Sequence, residues 1–460
     1  MGVRTGYGHC FKDDYRTMTF PLPLAAFEEY MFVDDRPAYP LVGYFRLQFS
    51  GRLDRPALER AFDRALERHP LLRARVAEVG RQRYAWVPAE PSTPQLFWSP
   101  SGPTEDFPPM RPIDLRREPG LRVTVFADER ASHLVLQVHH ANGDALGTFV
   151  FIEDLLLAYA AELEGRAPQL PALAAEQLAR RGRFGRSWLR WQGLRWLQLR
   201  GLTGVFQFWR HRPVPIVPHP ARELQGPPPE GYPGVVTRWL DAAAFAELRR
   251  EAKQSGATLN DLLVQRLFLS LAEFRARHGW QDERAWTRLA IPMNLRPANE
   301  GPWPAANVVS MVFLDRCLRQ VRDARGLLRG IGRQMRRIKR WRLGFTFVVV
   351  LEVLKAVMGG LALATSPQRC ASSAVLSNLG ILLPGWPRRD EQKRVVVGDV
   401  VLETLDVCPP TRPYTCATFT AFTYADRLGV TLYYEPDLFS EELAEEMLEG
   451  YVGGLAHAGR

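Results

Sequence analysis

Residues 166–235 divide this chain. The segment opens on "APQLPAL", runs through an Arg- and Trp-rich stretch and ends in "RPVPIVPHPARELQGPPPEGYPG". Proline fixes φ and removes a backbone donor, so this density of Pro and Gly breaks any long element and predicts a linker or crossover. Regular patterning stands on both sides. Upstream, "LVGYFRLQFSGRLDRPALERAFDRALERHPLLRARV" reads strand, turn, helix. Tyr44, Arg46, Gln48 and Ser50 alternate with Gly43, Phe45, Leu47 and Phe49; Asp54 is a good N-cap, and Leu58, Phe62, Ala65 and Leu66 make a helical stripe. "LRVTVFADERASHLVLQVHH" predicts a hairpin turning at Asp128 to Ser132, and "GTFVFIEDLLLAYAAELEG" a helix stopped by Gly165 and Pro168. Downstream, "VVTRWLDAAAFAELRREAKQSGATLNDLLVQRLFLSLAEF" reads strand, helix, and a second helix entered at Thr258 with Asp261 at N3. A hairpin, "ATFTAFTYADRLGVTLYYEP", and a helix from Ser440 close the chain. The expectation is two α/β halves of similar build, 18–165 and 236–460, joined by 166–235.

Composition narrows the partners without choosing one. The formal charge is +10, from 60 Lys and Arg against 50 Asp and Glu. Such an excess suits an anionic partner: nucleic acid, an anionic membrane or a phosphorylated cofactor. The five cysteines, Cys10, Cys317, Cys370, Cys408 and Cys416, are odd in number and show no CxxC spacing. That speaks against a disulfide scaffold or a zinc ribbon and for a reducing compartment. The opening "MGVRTGYGHCFKDD" has no apolar core of a secretory signal, so a cytoplasmic location is expected.

The stretch "HLVLQVHHANGDALG", His133 to Gly147, carries the chemistry. It places two of only nine histidines at a strand end. By strand parity His140 shares a face with Leu134, Leu136 and Val138, and His139 shares the other with Val135 and Gln137. A neutral imidazole in apolar surroundings is suited to general-base work near pH 7. Asp144, on a Gly-bearing turn, is able to fold back beneath it. Two other readings compete: satisfied structural histidines, and a metal site from His133, His139 and Asp144. No further His, Cys or Glu cluster supports the metal, and none is expected.

"HHANGDALG" resembles the HHxxxDG motif of the chloramphenicol acetyltransferase-like superfamily. That group includes peptide-synthetase condensation domains, alcohol acetyltransferases and wax ester synthase/diacylglycerol acyltransferases. Further pieces resemble the family in order: "RLDRPALERAFDRALERHPLLRARV", "SGATLNDLLVQRLFLSLAEF", "IPMNLRP", "SNLG" (Ser377 to Gly380) and "LGVTLYYEPDLFSEELAEEML". Together they span about residues 20 to 455. The resemblance implies an α/β (α+β sandwich) fold of two such subdomains in a V, with a tunnel between them. It implies that His140 is the base that deprotonates an acceptor hydroxyl or amine during attack on an acyl thioester. His139 and Gly143 then support the motif. Asp144 is structural and ion-paired to an arginine, Arg296 first and Arg73 behind it. Asn294, Ser377, Asn378 and Gly380 line the tunnel. No bound cofactor is implied: the co-substrate is an acyl-CoA or a phosphopantetheine thioester, and an acyl carrier protein is a further expected partner. The motif departs from the family in one place. Ala145 stands where a glycine is usual, with glycines at 143 and 147. If the loop needs positive φ, it must use one of those two.

Three stretches remain. "RRGRFGRSWLRWQGLRWLQLRGLTGVFQFWRHR" has many arginines, four tryptophans and no acid. It reads as a surface crossover or as peripheral contact with an anionic membrane; nucleic acid is not expected. "LGFTFVVVLEVLKAVMGGLALA", Leu343 to Ala364, meets the roughly 20-residue length of a membrane span. Glu352 and Lys355 interrupt it, each costing about 2.5–3.5 kcal/mol on insertion, so a buried or tunnel-lining helix is expected, with the two side chains paired at i, i+3. "QMRRIKRWR" is a basic run suited to a carrier, coenzyme A phosphates, lipid headgroups or plain solvent. The Trp-rich stretches favour an apolar or lipid-like acceptor and O-acylation. Amide formation by a stand-alone condensation enzyme, and a non-catalytic member that binds a carrier or lipid, are the alternatives.

Overall fold

The structure is a computed structural model that describes residues 20–80, 83–104, 107–218, 226–297, 300–357, 360–366 and 369–456. Cys10, the "MGVRTGYGHCFKDD" opening and the first residues of the range 18–165 lie outside the described residues. So do 219–225 of the proline-rich run and 358–359 of the long apolar stretch.

Each half is built on a six-stranded sheet. The N-terminal sheet runs Val396–Val397, Val400–Cys408, Val42–Ser50, Ala131–His139, Leu121–Ala127, Leu96–Trp98. The C-terminal sheet runs Val309–Cys317, Trp286–Asn294, Ala374–Ile381, Ala417–Tyr424, Arg427–Tyr434, Gly234–Leu240. A three-stranded sheet of Leu22–Pro23, Tyr84–Pro88 and Ala74–Glu78 stands apart. The expected hairpin at Asp128 is present: its carboxylate accepts from Arg130 N and Ala131 N at 2.7 and 2.9 Å, which closes the turn.

Helices cover one side of each sheet. Arg55–Glu67 starts at Asp54, whose Oδ1 accepts from Ala57 N at 2.8 Å. Its apolar stripe meets Ala145–Leu163, with the Phe62 and Phe151 rings 6.2 Å apart, over a core that includes Leu47, Val123 and Leu136. In the other half Leu259–Arg277 opens with a full capping box between Thr258 and Asp261. It shares a core with Glu441–Ala456 that includes Leu267, Phe419 and Tyr451.

The two sheets do not follow the boundary expected at residue 236. Val400–Cys408 lies downstream of it yet pairs antiparallel with Val42–Ser50. The reason is burial: Val400, Leu402, Leu405 and Val407 complete the N-terminal core. Asp406 fixes the crossing. It accepts from Arg46 Nε at 2.9 Å on one side and from Thr237 Oγ1 at 2.6 Å on the other.

The segment 166–235 is no extended linker. It holds a 3-10 turn, Ala175–Arg183, and short helices Trp188–Leu197 and Leu202–Arg210. Arg181 is buried in a two-pronged pair with Glu28, at 2.7 and 2.9 Å. Phe184 and Trp191 each pack edge on against Phe345 and meet each other at a tilt. The long apolar stretch is broken into Leu343–Phe345, Thr346–Lys355 and Gly360–Ala364. No helix among the described residues is long and apolar enough to cross a membrane. Glu352 and Lys355 do not pair with each other as expected. Glu352 meets Arg195 at 3.2 Å and Lys355 meets Glu29 at 2.5 Å, because neighbouring elements offer each an opposite charge.

Candidate active site

The strand Ala131–His139 delivers the double histidine, and the two side chains part there. His139, the last strand residue, is fully buried; its Nδ1 accepts from Ala141 N at 3.2 Å, and its Nε2 lies 3.6 Å from Asp35. His140 already belongs to the turn. Strand parity would send it into the core beside Leu134, Leu136 and Val138. Leaving the strand frees it from that face, and its ring lines a chamber of about 880 Å³ between the two halves. The volume is that of a small-molecule site.

Four contacts hold His140 in place. Its N donates to Leu41 O at 2.7 Å, and its carbonyl accepts from Asn307 Nδ2 at 2.7 Å. The same Nδ2 is 3.4 Å from His140 Nδ1. A ring-to-backbone hydrogen bond to its own carbonyl supports the protonated form. Burial outweighs that bond and the nearby Asp144 charge, and pushes the imidazole below its usual 6.5. Burial thus favours the neutral form of the ring.

Asp144 stands beneath. It is the N-cap of Ala145–Leu163, with φ −84° and ψ 171°. Oδ1 accepts from Gly147 N at 2.8 Å and Arg296 Nη2 at 3.0 Å; Oδ2 accepts from Val308 N at 2.8 Å and Arg296 Nη1 at 2.9 Å. A carboxylate offers about four acceptor positions, so these four bonds leave none for the imidazole. The ion pair goes to Arg296; Arg73 ends the 3-10 turn Pro70–Arg73 and takes no part in it. Asn294, at the end of its strand, aims the arginine by accepting from Arg296 N at 3.0 Å.

Ala145 sits at the first position of the helix, where an alanine is at ease. None of residues 143, 145 and 147 has a positive φ, so the expected need for a left-handed glycine does not arise. Gly147 answers a different demand. A Cβ there would meet Ala306 O at 2.9 Å and Arg296 Nη2 at 3.0 Å, so helix and strap touch backbone to backbone. Gly143 has only ordinary neighbours.

The strap is the irregular run Trp303 to Val308, which sequence reasoning missed. Ala306 O accepts from Asp144 N at 3.3 Å and from Arg296 Nη2 at 3.0 Å. Ala305 N donates to His69 Nδ1 at 2.8 Å, which leaves the His69 Nε2–H to Asp154 at 3.0 Å. A run without period offers no sequence signal, and Asn307 and His69 are visible only once the halves are together.

Of the expected residues, His140, Asp144, Asn294, Arg296, Ser377 and Asn378 line the chamber, while His139, Gly143 and Gly380 do not. "SNLG" is a bulged strand rather than a turn: the register slips between Asn378 and Gly380, and Gly380 takes φ +72°. Among the described residues no group of three or more His, Cys, Asp or Glu is arranged to hold a metal ion. Phe27, Phe208, Phe313 and Phe347 make much of the chamber apolar, and Arg316, Arg333 and Arg337 add cations.

Residues 39–178 match the Condensation domain family. The chain is 28% identical over 172 residues to a linear gramicidin synthase of Brevibacillus parabrevis, covering 34% of this chain and 2% of that protein. It is 29% identical over 293 residues to the uncharacterized protein Rv2305 of Mycobacterium tuberculosis (strain ATCC 25618 / H37Rv), covering 61% of this chain and 63% of that one. It thus spans less than two thirds of either relative. The first condensation domain of the CDA synthetase superposes over 96% of both chains with a TM-score of 0.69 at 18% identity.

Proposed function

We propose that this chain, which has the condensation-domain fold of the chloramphenicol acetyltransferase-like superfamily, is an acyltransferase. It moves an acyl group from a coenzyme A or carrier-protein thioester to an alcohol, with an apolar or lipid-like acceptor. The observation that carries this reading is the His140 imidazole on a chamber of about 880 Å³ between the halves, where burial favours its neutral form. Nδ1 faces Asn307 and the backbone, so Nε2 is the nitrogen left for the acceptor. It takes the acceptor proton as the oxygen attacks the thioester carbonyl; the C–S bond breaks, and the proton passes to the departing thiolate. Asp144 and Arg296 hold the loop and take no proton. Ser377 and Asn378 are polar wall groups within the chamber and are assigned to substrate contact. Arg316, Arg333 and Arg337 suit the phosphates of the thioester arm. The Arg- and Trp-rich segment is read as a peripheral contact with anionic membrane.

The match to a gramicidin synthase favours a second reading, amide formation with an amine acceptor. The non-catalytic reading loses its main support, because Ala145 imposes no strain. The test is thiol release over a panel of acyl-coenzyme A donors with alcohol and amine acceptors. Acceptor-dependent release with alcohols is expected. A preference for amines selects the second reading, and no release with any pair removes both.

A further inference from the structure

The outer wall of the chamber is an exposed apolar surface. Fourteen large hydrophobic side chains are strongly exposed among the described residues; seven lie between Trp188 and Trp209 and three between Val353 and Leu363. Leu189 is 75% exposed, Trp196 73%, Leu363 70% and Phe206 64%. The two segments form one face. Arg195 pairs with Glu352 at 3.2 Å, Thr346 Oγ1 donates to Gln198 Oε1 at 2.9 Å, and Gly201 lies so close to Thr346 that a Cβ would sit 2.4 Å from its hydroxyl. Scattered exposed apolar residues are ordinary; a cluster of this kind marks an interaction surface.

The rim is cationic. Residues 180–212 hold nine arginines and no acid, of which Arg181 and Arg195 are engaged by Glu28 and Glu352. The helix Ala324–Arg340 holds seven Lys and Arg and no acid, of which Arg333 and Arg337 line the chamber; the remaining cations are left for the rim. They adjoin: the Arg200 guanidinium lies 3.8 Å over the ring of Trp341, which ends that helix. A second copy of this chain is a poor occupant, since a two-fold contact would set arginines against arginines. An acidic protein answers the arginines but leaves ten exposed apolar side chains without a reason. An anionic lipid surface answers both, with tryptophans at the interface and arginines at the headgroups.

The helix Leu202–Arg210 joins this face to the chamber. None of its residues is fully buried. Thr203, Gly204, Gln207 and Phe208 line the chamber, while Leu202 and Phe206 face outward. The helix thus borders both chamber and outer face, and Trp209 and Leu363, exposed on that face, also line the chamber. We propose that this face seats on an anionic lipid surface, and that the wall at Leu202–Arg210 is where an apolar substrate passes between lipid and chamber. The passage rests on the acyl-transfer reading; the seating does not.

The full-length chain is sedimented with phosphatidylcholine vesicles, with and without phosphatidylglycerol, at low and high salt. Binding is expected only to the mixed vesicles, with release by salt. The variant Leu189→Ser/Trp196→Ser/Phe206→Ser replaces no chamber-lining residue. It should keep its melting midpoint and bind mixed vesicles at least about tenfold more weakly, while His140→Ala binds as the wild type does. No sedimentation of the wild type, undiminished binding by the triple variant, or equal binding to neutral vesicles would overturn the seating. So would capture of an acidic carrier protein, but not of vesicles, by this face. For the passage, the triple variant should lose at least about tenfold in turnover of a long-chain alcohol held in mixed vesicles and keep turnover of a water-soluble short alcohol. Equal loss of both overturns the passage. Intact vesicle binding with no turnover by the wild type supports the seating and counts against the acyl-transfer reading instead.

Discussion

The loop His139–Gly147 and the segment Trp188–Arg210 border the same chamber and are built in opposite ways. In the loop most polar atoms are matched: four bonds on Asp144, Asn142 Nδ2 on Leu71 O at 2.7 Å, His140 held through both backbone groups, with His139 Nε2 and Asn142 Oδ1 the buried exceptions that accept or donate no hydrogen bond. In the segment, Trp191 and Leu194 anchor the first helix with Leu197 packed beside them, while Trp188, Leu189 and Trp196 stand in water. A matched network fixes one geometry, which a proton transfer needs. An exposed apolar face fixes little and waits for a partner. Substitutions should therefore act through stability or the rate on soluble substrates in the loop, and through lipid binding and the turnover of lipid-held substrates in the segment.

The sharpest contrast is expected at Asp144→Asn. It leaves Arg296 uncompensated across the join of the halves and should cost about 3–5 kcal/mol in denaturant unfolding, with activity falling alongside. An unchanged midpoint with lost activity would move Asp144 into the chemistry. Next comes His140→Ala, with turnover down at least about 10²-fold, equivalent to roughly 2.7 kcal/mol, and little change in melting. His139→Ala should do the reverse, lowering the midpoint through its buried place. If His140→Ala and wild type turn over alike, the general-base assignment is lost.

Gly147→Ala forces Ala306 O away and should cost about 1–3 kcal/mol, against a small effect for Gly143→Ala; equal melting points for the two would mean the strap yields freely. The pH response is milder. Burial lowers both His69 and His140 from 6.5, so below pH 6.5 the unfolded chain binds protons that the native chain refuses. Stability is full above that value and drains as pH falls, while kcat/KM holds its plateau to below 6.5 before His140 protonates. A rate that already falls above 6.5 would point to another base. Smallest of all is Leu199→Ser in the outer segment, expected within about 0.5 kcal/mol of wild type. A loss of several kcal/mol there would mean that the face is packed rather than open.

Much of the architecture is written in local pattern. Asp54, Thr258 and Asp128 announce their caps and turn because each acts on neighbours three residues or fewer away. The join of the halves is not written that way. Asp144 and Arg296 are 152 residues apart, and only the resemblance of "MNLRP" pointed from one to the other. Asn307 and His69 act through tertiary contacts that no period encodes. Val400–Cys408 alternates like any strand, and nothing in its residues says which sheet it will enter. The fate of His140 turned on one residue: parity is a rule for strands, and the strand ends at His139.

That crossing strand also bears on how the chain is made. Val42–Ser50 emerges from the ribosome early and can pair with Ala131–His139, but its other edge belongs to Val400–Cys408. At roughly 5–20 residues per second, some 20–70 s separate the two. Through that interval the nascent N-terminal half presents an open, apolar strand edge, the kind of surface on which chains aggregate. The fold that joins the halves thus makes the first one wait for the second.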